Sequence, residues 1–361
     1  MKGKNIIISG GGTAGHLYPA LAVGRKLKEK DPHVHLIYVG SSRGLEKTIM
    51  DHHGADFIPL KIEGLKGKGV KIIKPLLLLP FSFLKSLIIL IRFKPRLVMG
   101  MGGYSSGPIV LLASLMKKPT LIMEQNFKPG FTNRILIPWV RKAVVAFQGS
   151  LPSFKGKGVF IGNPVREEFY RLKPKGENSH LTLLIFGGSQ GSHFLNQAVI
   201  KTLPLLSRIK DRVKIIHQTG EKDWEWVKNN YLDHSFKHME VAPFFHNMAG
   251  CFQRADLIIS RAGATTIAEI IASQKASLLI PFSKASENHQ LSNARQLEKT
   301  KAAEVILEEE VSPETLSSRI MDFLKQREKI HQMKKNLKSL QTGKVADRIA
   351  DLCFELMETQ P

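Results

Sequence analysis

Short apolar runs alternate with helix-length stretches from the first residues onward. IIIS (6–9) precedes a glycine turn and the helical segment LAVGRKLKEK, and VHLIYVG (34–40), LVMG (97–100), TLIM (120–123) and AVVAF (143–147) repeat the strand pattern at helix-sized intervals. Short β-branched or leucine-rich runs separated by helices predict a doubly wound parallel α/β sheet. The pattern restarts at LTLLIFGGSQGSHFLNQAV (181–199), and VKIIHQ, LIIS, SLLIP and AEVIL follow at similar spacing. Two Rossmann-like domains are therefore expected, 1–165 and 166–340, with a cleft between them and the joint in GNPVREEFYRLKPKGENSH (162–180), rich in Pro, Gly and charge. From Pro313 the tail reads as helical, and its last helix (341–361) is expected to dock back on the first domain.

Segment 65–96, LKGKGVKIIKPLLLLPFSFLKSLIILIRFKPR, breaks this rhythm. Lys74, Pro75, Pro80 and Lys85 leave no clean run of about 20 apolar residues, so it is not a transmembrane span. Ser86–Ile91 reads equally well as part of a buried core helix. Leu76–Phe83 reads differently: four consecutive leucines between prolines, in a stretch (61–96) holding nine basic residues and one acid. Leu76, Leu77, Leu79 and Phe81, with Lys66, Lys68, Lys71, Lys74 and Lys85 around them, suit an anionic bilayer surface.

Charge sharpens that asymmetry. The 361 residues carry 53 Lys+Arg against 31 Asp+Glu, a net +22, and residues 1–165 alone hold 25 basic and 7 acidic side chains, net +18. The first half therefore expects an anionic partner, with nucleic acid, lipid and phosphorylated substrate all open on charge alone. Three Trp and five Tyr give little for base stacking, which argues against nucleic acid. Cys251 and Cys353 cannot build a disulfide framework or a structural zinc site, which points to a reducing compartment. The start, MKGKNIIISGGG, has too short an apolar run for a signal peptide.

Three glycine-rich turns follow strands: SGGGTAGH (9–16), GMGGYSSGP (100–108) and GGSQG (187–191). Glycine lets backbone approach a ligand closely, and N–H groups at the following helix start favour phosphate. None of the three has the Gly-Lys-Ser/Thr of a Walker loop, and VGSSRG (39–44) lacks the acid that an NAD fingerprint needs. No Asp-x-Asp occurs, and His52 and His53 beside Asp51 are adjacent residues that rarely face one ion, so no metal is expected.

Taken in order, GGTAGHLYPALAV, GMGGYSSGP, EQN (124–126), GNPVR (162–166), GGSQG, RAGATTIAE (261–269) and HQLSNA (289–294) resemble the MurG family of bacterial peptidoglycan glycosyltransferases. The resemblance implies the two-Rossmann GT-B fold and transfer of N-acetylglucosamine from its UDP donor to the muramyl sugar of lipid I, inverting the anomeric centre. It implies no cofactor, a peripheral place on the cytoplasmic face of the membrane, anionic inner-leaflet lipids and other cell-wall synthesis proteins as partners, and no nucleic acid. On this resemblance Ser189 would contact the diphosphate, Glu269 both ribose hydroxyls, and Arg166 and the Phe245 backbone the uracil. Gln290 would hold sugar hydroxyls, with Ala264, Thr265, Thr266, Ile267, Ala268 and Glu269 lining the same helix start. Thr13, Ala14, Gly15 and Asn126 of the first domain would close over the sugar, and Gly102, Gly103, Tyr104 and Ser105 would form the acceptor loop.

Each has a plainer reading. Glu269 suits any early helix turn, Gln290 a solvated amide, Arg166 a linker ion pair, Asn126 a loop cap and Ser189 a helix N-cap. His16 ends the first turn at a helix start, where the dipole disfavours imidazolium and leaves a neutral ring able to take a proton, the task an inverting transfer needs. The plainer reading of His16 is a brace for the loop. The family has Gly where Ala14 stands, so a negative φ is expected there. A soluble UDP-N-acetylglucosamine epimerase of related fold shares the donor features, though it requires neither the apolar patch nor GMGGYSSGP. A non-enzymatic scaffold driven by charge is the third reading.

Overall fold

The computed structural model describes residues 4–11, 14–41, 50–51, 54–60, 62, 73–173, 176, 180–285 and 288–359. The chain forms two compact units, 1–166 with 344–361, and 167–343. The boundary at 166/167 falls inside the 162–180 segment, and the second unit ends at 343 where 340 was expected.

The first unit holds a parallel sheet of seven strands, ordered β3-β2-β1-β4-β5-β6-β7. These are β1 (Lys4–Ser9), β2 (Val34–Ser41), β3 (Phe57–Leu60), β4 (Leu97–Gly100), β5 (Thr120–Glu124), β6 (Lys142–Val145) and β7 (Gly158–Phe160). Alternate residues feed opposite faces. Ile6, Ile8, Leu97 and Met99 pack under helix Ala14–Lys30, while Ile7, Val98, Ile122 and Val145 pack under helices Ile73–Phe93, Ser106–Leu115 and Phe131–Leu136. Both faces are covered, which is why the strands read as continuous apolar runs rather than alternating ones.

Helix Val345–Glu358 belongs to this unit although it ends the chain. Val345, Ile349, Leu352, Cys353 and Leu356 fall on one helical face and share the core with Leu17, Val23 and Leu27. Lys30 pairs with Asp351 at 2.7 Å, and Arg96 donates to the Met357 carbonyl. Burial pushes the Cys353 thiol up to about 12, and both cysteines are free.

The 65–96 segment divides by face rather than by position. Lys66, Lys68 and Lys71 lie outside the described residues, as do the side chains of Lys74 and Leu76. In helix Ile73–Phe93, Leu77, Phe81, Leu84, Ile88 and Ile91 are 54–68% exposed, at the spacing of one helical stripe, while Ser82, Ser86, Ile89 and Leu90 are buried. Leu79 corrects the sequence reading: it is half-buried and packs against the core, because it sits off the stripe two residues from Leu77. Among the described residues no helix is long and apolar enough to cross a membrane.

The second unit holds a six-stranded parallel sheet, ordered β10-β9-β8-β11-β12-β13. These are β8 (Leu181–Phe186), β9 (Val213–Gln218), β10 (Met239–Ala242), β11 (Leu257–Ser260), β12 (Ala276–Leu279) and β13 (Glu304–Val305). Within its core His217 Nδ1 meets Tyr231 Oη at 2.9 Å and Nε2 meets Asn196 Oδ1 at 3.0 Å. Asn196 Nδ2 donates to the Thr219 carbonyl, so its oxygen accepts, and the His217 proton sits on Nε2.

Burial holds His217 neutral, lowering its pKa from 6.5 to about 3 against the pull of Asp223. The unfolded chain takes a proton below 6.5 that the native unit refuses. Stability is therefore complete above 6.5 and falls on acidification by about 1.4 kcal/mol per pH unit until about 3. Hydrogen exchange of the β8 and β9 amides at pH 7 and 4.5 measures this, and His217→Gln, which cannot titrate, is expected to remove roughly 2–3 kcal/mol of that pH dependence.

Candidate functional site

In each sheet the strand order reverses once, between β1 and β4 and between β8 and β11. Connections leave such a point in opposite directions and open a crevice at the strands' carboxyl ends, where ligands bind. The glycine turns sit at these two points.

In the first unit the turn after β1 and the turn after β4 are pressed backbone to backbone. A Cβ on Gly10 would stand 2.7 Å from the Met101 Cβ, and one on Gly103 would stand 2.3 Å from the Gly11 carbonyl oxygen. Gly102 and Gly103 have φ of 93° and 77°, which glycine adopts freely. Met101 N–H donates to the Ser9 carbonyl, and the Ser9 hydroxyl to the Ser105 carbonyl. Ser105 is buried and Tyr104 half-buried, so of the predicted acceptor loop Gly103 and Tyr104 offer the accessible surface. Thr13 lies outside the described residues. Ala14 opens helix Ala14–Lys30, as a negative φ requires, and Gly15 and His16 follow in its first turn.

His16 is half-buried here, with its ring Nδ1 buried and without a hydrogen-bond partner. Burial lowers its pKa below the ordinary value, outweighing the Met101 carbonyl and the Gln125 side chain, which favour protonation. The ring is neutral at pH 7. Beyond it, Glu124 ends β5 and accepts from four groups: Asn126 N–H and Nδ2, Gly130 N–H and Asn133 Nδ2, at 2.8–3.2 Å. Burial nonetheless pushes its carboxyl above the usual range. Asn126 is thus held by a carboxylate whose part the sequence reading missed, although EQN was in view.

The second unit repeats the construction with different loops. Gly188 and Gly191 have φ of 106° and 76°. A Cβ on Gly191 would stand 1.9 Å from the Thr219 carbonyl oxygen, and one on Gly220 would stand 2.3 Å from that of Gln190. Ser192, not Ser189, caps helix His193–Leu206 by accepting from Leu195 N–H, which leaves Ser189 exposed at the loop tip. Gln218 donates to the Gly188 carbonyl and accepts from Phe245 N–H, both at 2.9 Å. The Phe245 N–H is therefore engaged, and its carbonyl is the backbone group left for a base.

Helix Ala264–Ser273 starts after β11, with Gly263 as its extended N-cap, so the first N–H groups point out of the helix. Thr265, Thr266, Ala268 and Glu269 are half-buried along its opening turns. The Ile267 side chain is buried in the core, so Ile267 borders the helix start through its backbone alone. Gln290 Oε1 accepts from Ala262 and Phe282 N–H, so its Nε2 is what it can offer a sugar. Arg261 ties the loops together. It pairs with Glu308 at 2.6 Å, donates to Ser192 Oγ and the Ile280 carbonyl, and lies between the Phe194 and Phe282 rings. Arg166 is the last residue of the first unit before the boundary, its guanidinium over the Tyr18 ring at 5.7 Å. Among the described residues no group of three or more His, Cys, Asp or Glu side chains could hold a metal ion; His52 and His53 lie outside them.

Two Rossmann-like units with anion-ready loops at their switch points give the chain the GT-B fold of glycosyltransferases and related UDP-sugar enzymes. Residues 6–145 match the glycosyltransferase family 28 N-terminal domain and 182–349 its C-terminal domain. The chain is 39% identical over 98% of its length, and 93% of the relative's, to the UDP-N-acetylglucosamine–N-acetylmuramyl-(pentapeptide) pyrophosphoryl-undecaprenol N-acetylglucosamine transferase of Myxococcus xanthus. The transferase of the same name from Syntrophus aciditrophicus is 40% identical, with 98% of both chains covered. The crystal structure of Acinetobacter baumannii MurG superposes with a TM-score of 0.79 at 26% identity, covering 98% of this chain and 99% of that one. A UDP-GlcNAc 2-epimerase from Neisseria meningitidis reaches 0.67 at 11% identity, over 97% of this chain and all of that one, a likeness of fold alone. The chain belongs to glycosyltransferase family 28 and, within it, to the MurG family of N-acetylglucosamine transferases.

Close backbone contact in the second unit makes one substitution diagnostic. Gly191→Ala meets both a positive φ and the Thr219 carbonyl, whereas Gly188→Ala meets strain with nothing within 4 Å. Gly191→Ala is expected to destabilise the unit by about 1 kcal/mol or more beyond Gly188→Ala and to weaken UDP binding, read by thermal unfolding and titration calorimetry. Equal behaviour of the two variants would mean that the contact does not shape the loop.

Proposed function

We propose that this enzyme transfers N-acetylglucosamine from UDP-N-acetylglucosamine to the muramyl sugar of undecaprenyl-pyrophosphoryl-MurNAc-peptide (lipid I), giving lipid II with inversion at the transferred carbon. The observation that carries the reading is 39% identity, over 98% of the chain, to transferases named for that activity. Transfer of radiolabel from the UDP donor to a lipid I analogue tests it, and an enzyme that only interconverts UDP-sugars would refute it.

The second unit takes the donor. Loop 187–191 and the start of helix Ala264–Ser273 supply N–H groups to the diphosphate, and the helix dipole offsets the charge of departing UDP. Ser189 adds a hydroxyl, Glu269 accepts from the ribose, the Phe245 carbonyl meets the uracil, and Gln290 Nε2 donates to the sugar. No metal is needed for this charge balance. The first unit takes the acceptor. There His16, kept neutral by burial, accepts the proton of the attacking hydroxyl as the new C–O bond forms and the bond to UDP breaks. His16→Gln is expected to lower kcat by about 10²–10⁴ with UDP affinity unchanged, while wild-type turnover persists in excess EDTA. Full activity of the variant would leave His16 as a loop brace.

The exposed stripe Leu77, Phe81, Leu84, Ile88 and Ile91 is the membrane-facing surface in this reading. Helix Ser106–Leu115 packs beside it and helix Phe131–Leu136 beside that, and these two leave Leu115, Met116, Ile135 and Trp139 exposed at their ends. Lys85, Arg92, Lys117 and Arg134 lie exposed on or next to the same helices. Apolar insertion and attraction to anionic inner-leaflet lipids would then add, each contributing about 1 kcal/mol per group. The reading puts the enzyme on the cytoplasmic face, beside the acceptor's lipid anchor and other cell-wall synthesis proteins. Replacing Leu77, Phe81, Leu84 and Ile88 by Ser is expected to abolish sedimentation with anionic vesicles while sparing turnover of a short-chain acceptor. Undiminished vesicle binding would move the docking face elsewhere.

A further inference from the structure

The His16 ring nitrogen Nδ1 and the Gln125 side-chain oxygen Oε1 are both buried without a hydrogen-bond partner. Both border the same space, since a Cβ built on Gly102 would stand 3.2 Å from Nδ1 and 3.5 Å from Oε1, and the Gln125 side chain acts on the His16 ring as a hydrogen-bonding group. The other end of the Gln125 amide is fixed, since Nε2 donates to the Met101 carbonyl at 2.7 Å. Turning the amide over would set Oε1 against that carbonyl, acceptor against acceptor, so its orientation is determined by the network.

We propose that Gln125 is a positioning residue that holds His16 in the Nδ1–H tautomer, leaving Nε2 as the nitrogen that accepts the acceptor's proton. This rests on the reading of His16 as the base. A neutral ring carries one proton, and an Nδ1 lone pair facing Oε1 would leave two buried acceptors opposed and unsatisfied. A proton on Nδ1 satisfies both at once. The pair does not meet in hydrogen-bond geometry as it stands, and catalytic hydrogen bonds commonly tighten only when substrate is bound. Glycine at 102, with φ of 93°, keeps the space beside the ring open, because a Cβ there would also stand 3.0 Å from the ring Cε1.

Long-range proton–nitrogen NMR of the full chain labelled with [15N]histidine tests the assignment, the His16 signals being identified by their loss in His16→Gln. Wild type is expected to show a pyrrole-type Nδ1 and a pyridine-type Nε2, and a pyrrole-type Nε2 would overturn the proposal without any further variant. Gln125→Met, which removes the acceptor at similar volume, is expected to shift the ring toward the other tautomer. Its kcat is expected to fall about tenfold to a hundredfold with both KM values within about twofold. Unchanged tautomer and kcat in Gln125→Met would overturn the positioning role while leaving His16 as the base. Full turnover in His16→Gln would instead remove the base and the catalytic consequence with it, the tautomer comparison still deciding whether Gln125 holds the ring.

Discussion

Backbone pressed against backbone at the carboxyl ends of parallel strands is the constraint from which both sites follow. Gly103 sits where a Cβ would strike the Gly11 carbonyl, and Gly191 where one would strike that of Thr219. A side chain at either position would push two loops apart and turn their N–H groups away from the crevice. The strand order makes the crevice, and the glycines let it be lined by backbone rather than by side chains. Anion binding then needs few dedicated residues, because unpaired N–H groups at a helix start already carry partial positive charge.

Around these loops the buried polar groups are arranged to stay neutral or fully bonded. Glu124 gathers four N–H donors and organises 124–133, and Arg261 joins three loops through one guanidinium held between two aromatic rings. A buried ion pair such as Arg261–Glu308 adds little net stability, and its effect lies in fixing the loops relative to each other. His16 and His217 are both kept uncharged by burial, but to different ends. His217 is saturated by Tyr231 and Asn196 and braces the loop at 219, whereas His16 keeps unspent capacity.

The two-sheet architecture was legible because strands covered on both faces read as unbroken apolar runs, and the glycine turns marked their ends. Short strands such as β3 (FIPL) and β7 (GVF) escaped, since a proline interrupts the first and three residues starting on glycine leave the second without an apolar run like LVMG or LIIS. Leu79 was misread because it lies in a motif whose neighbours face outward, and each step along a helix turns a side chain by about 100°, so two steps from Leu77 it faces the core. Gln125 and Arg261 were in view as letters of motifs, but their parts depend on contacts with Met101 and Glu308, distant in sequence, that no local pattern encodes.

The linkage formed in the product tests the account most directly, because inversion at the transferred carbon reports a single displacement on the donor. With UDP-N-acetylglucosamine, whose sugar is α-linked, and a short-chain lipid I analogue, proton coupling at the transferred anomeric carbon should show a β linkage. UDP should be released in equal amount. An α-linked product, or recovery of an epimerised UDP-sugar in place of transfer, would contradict it.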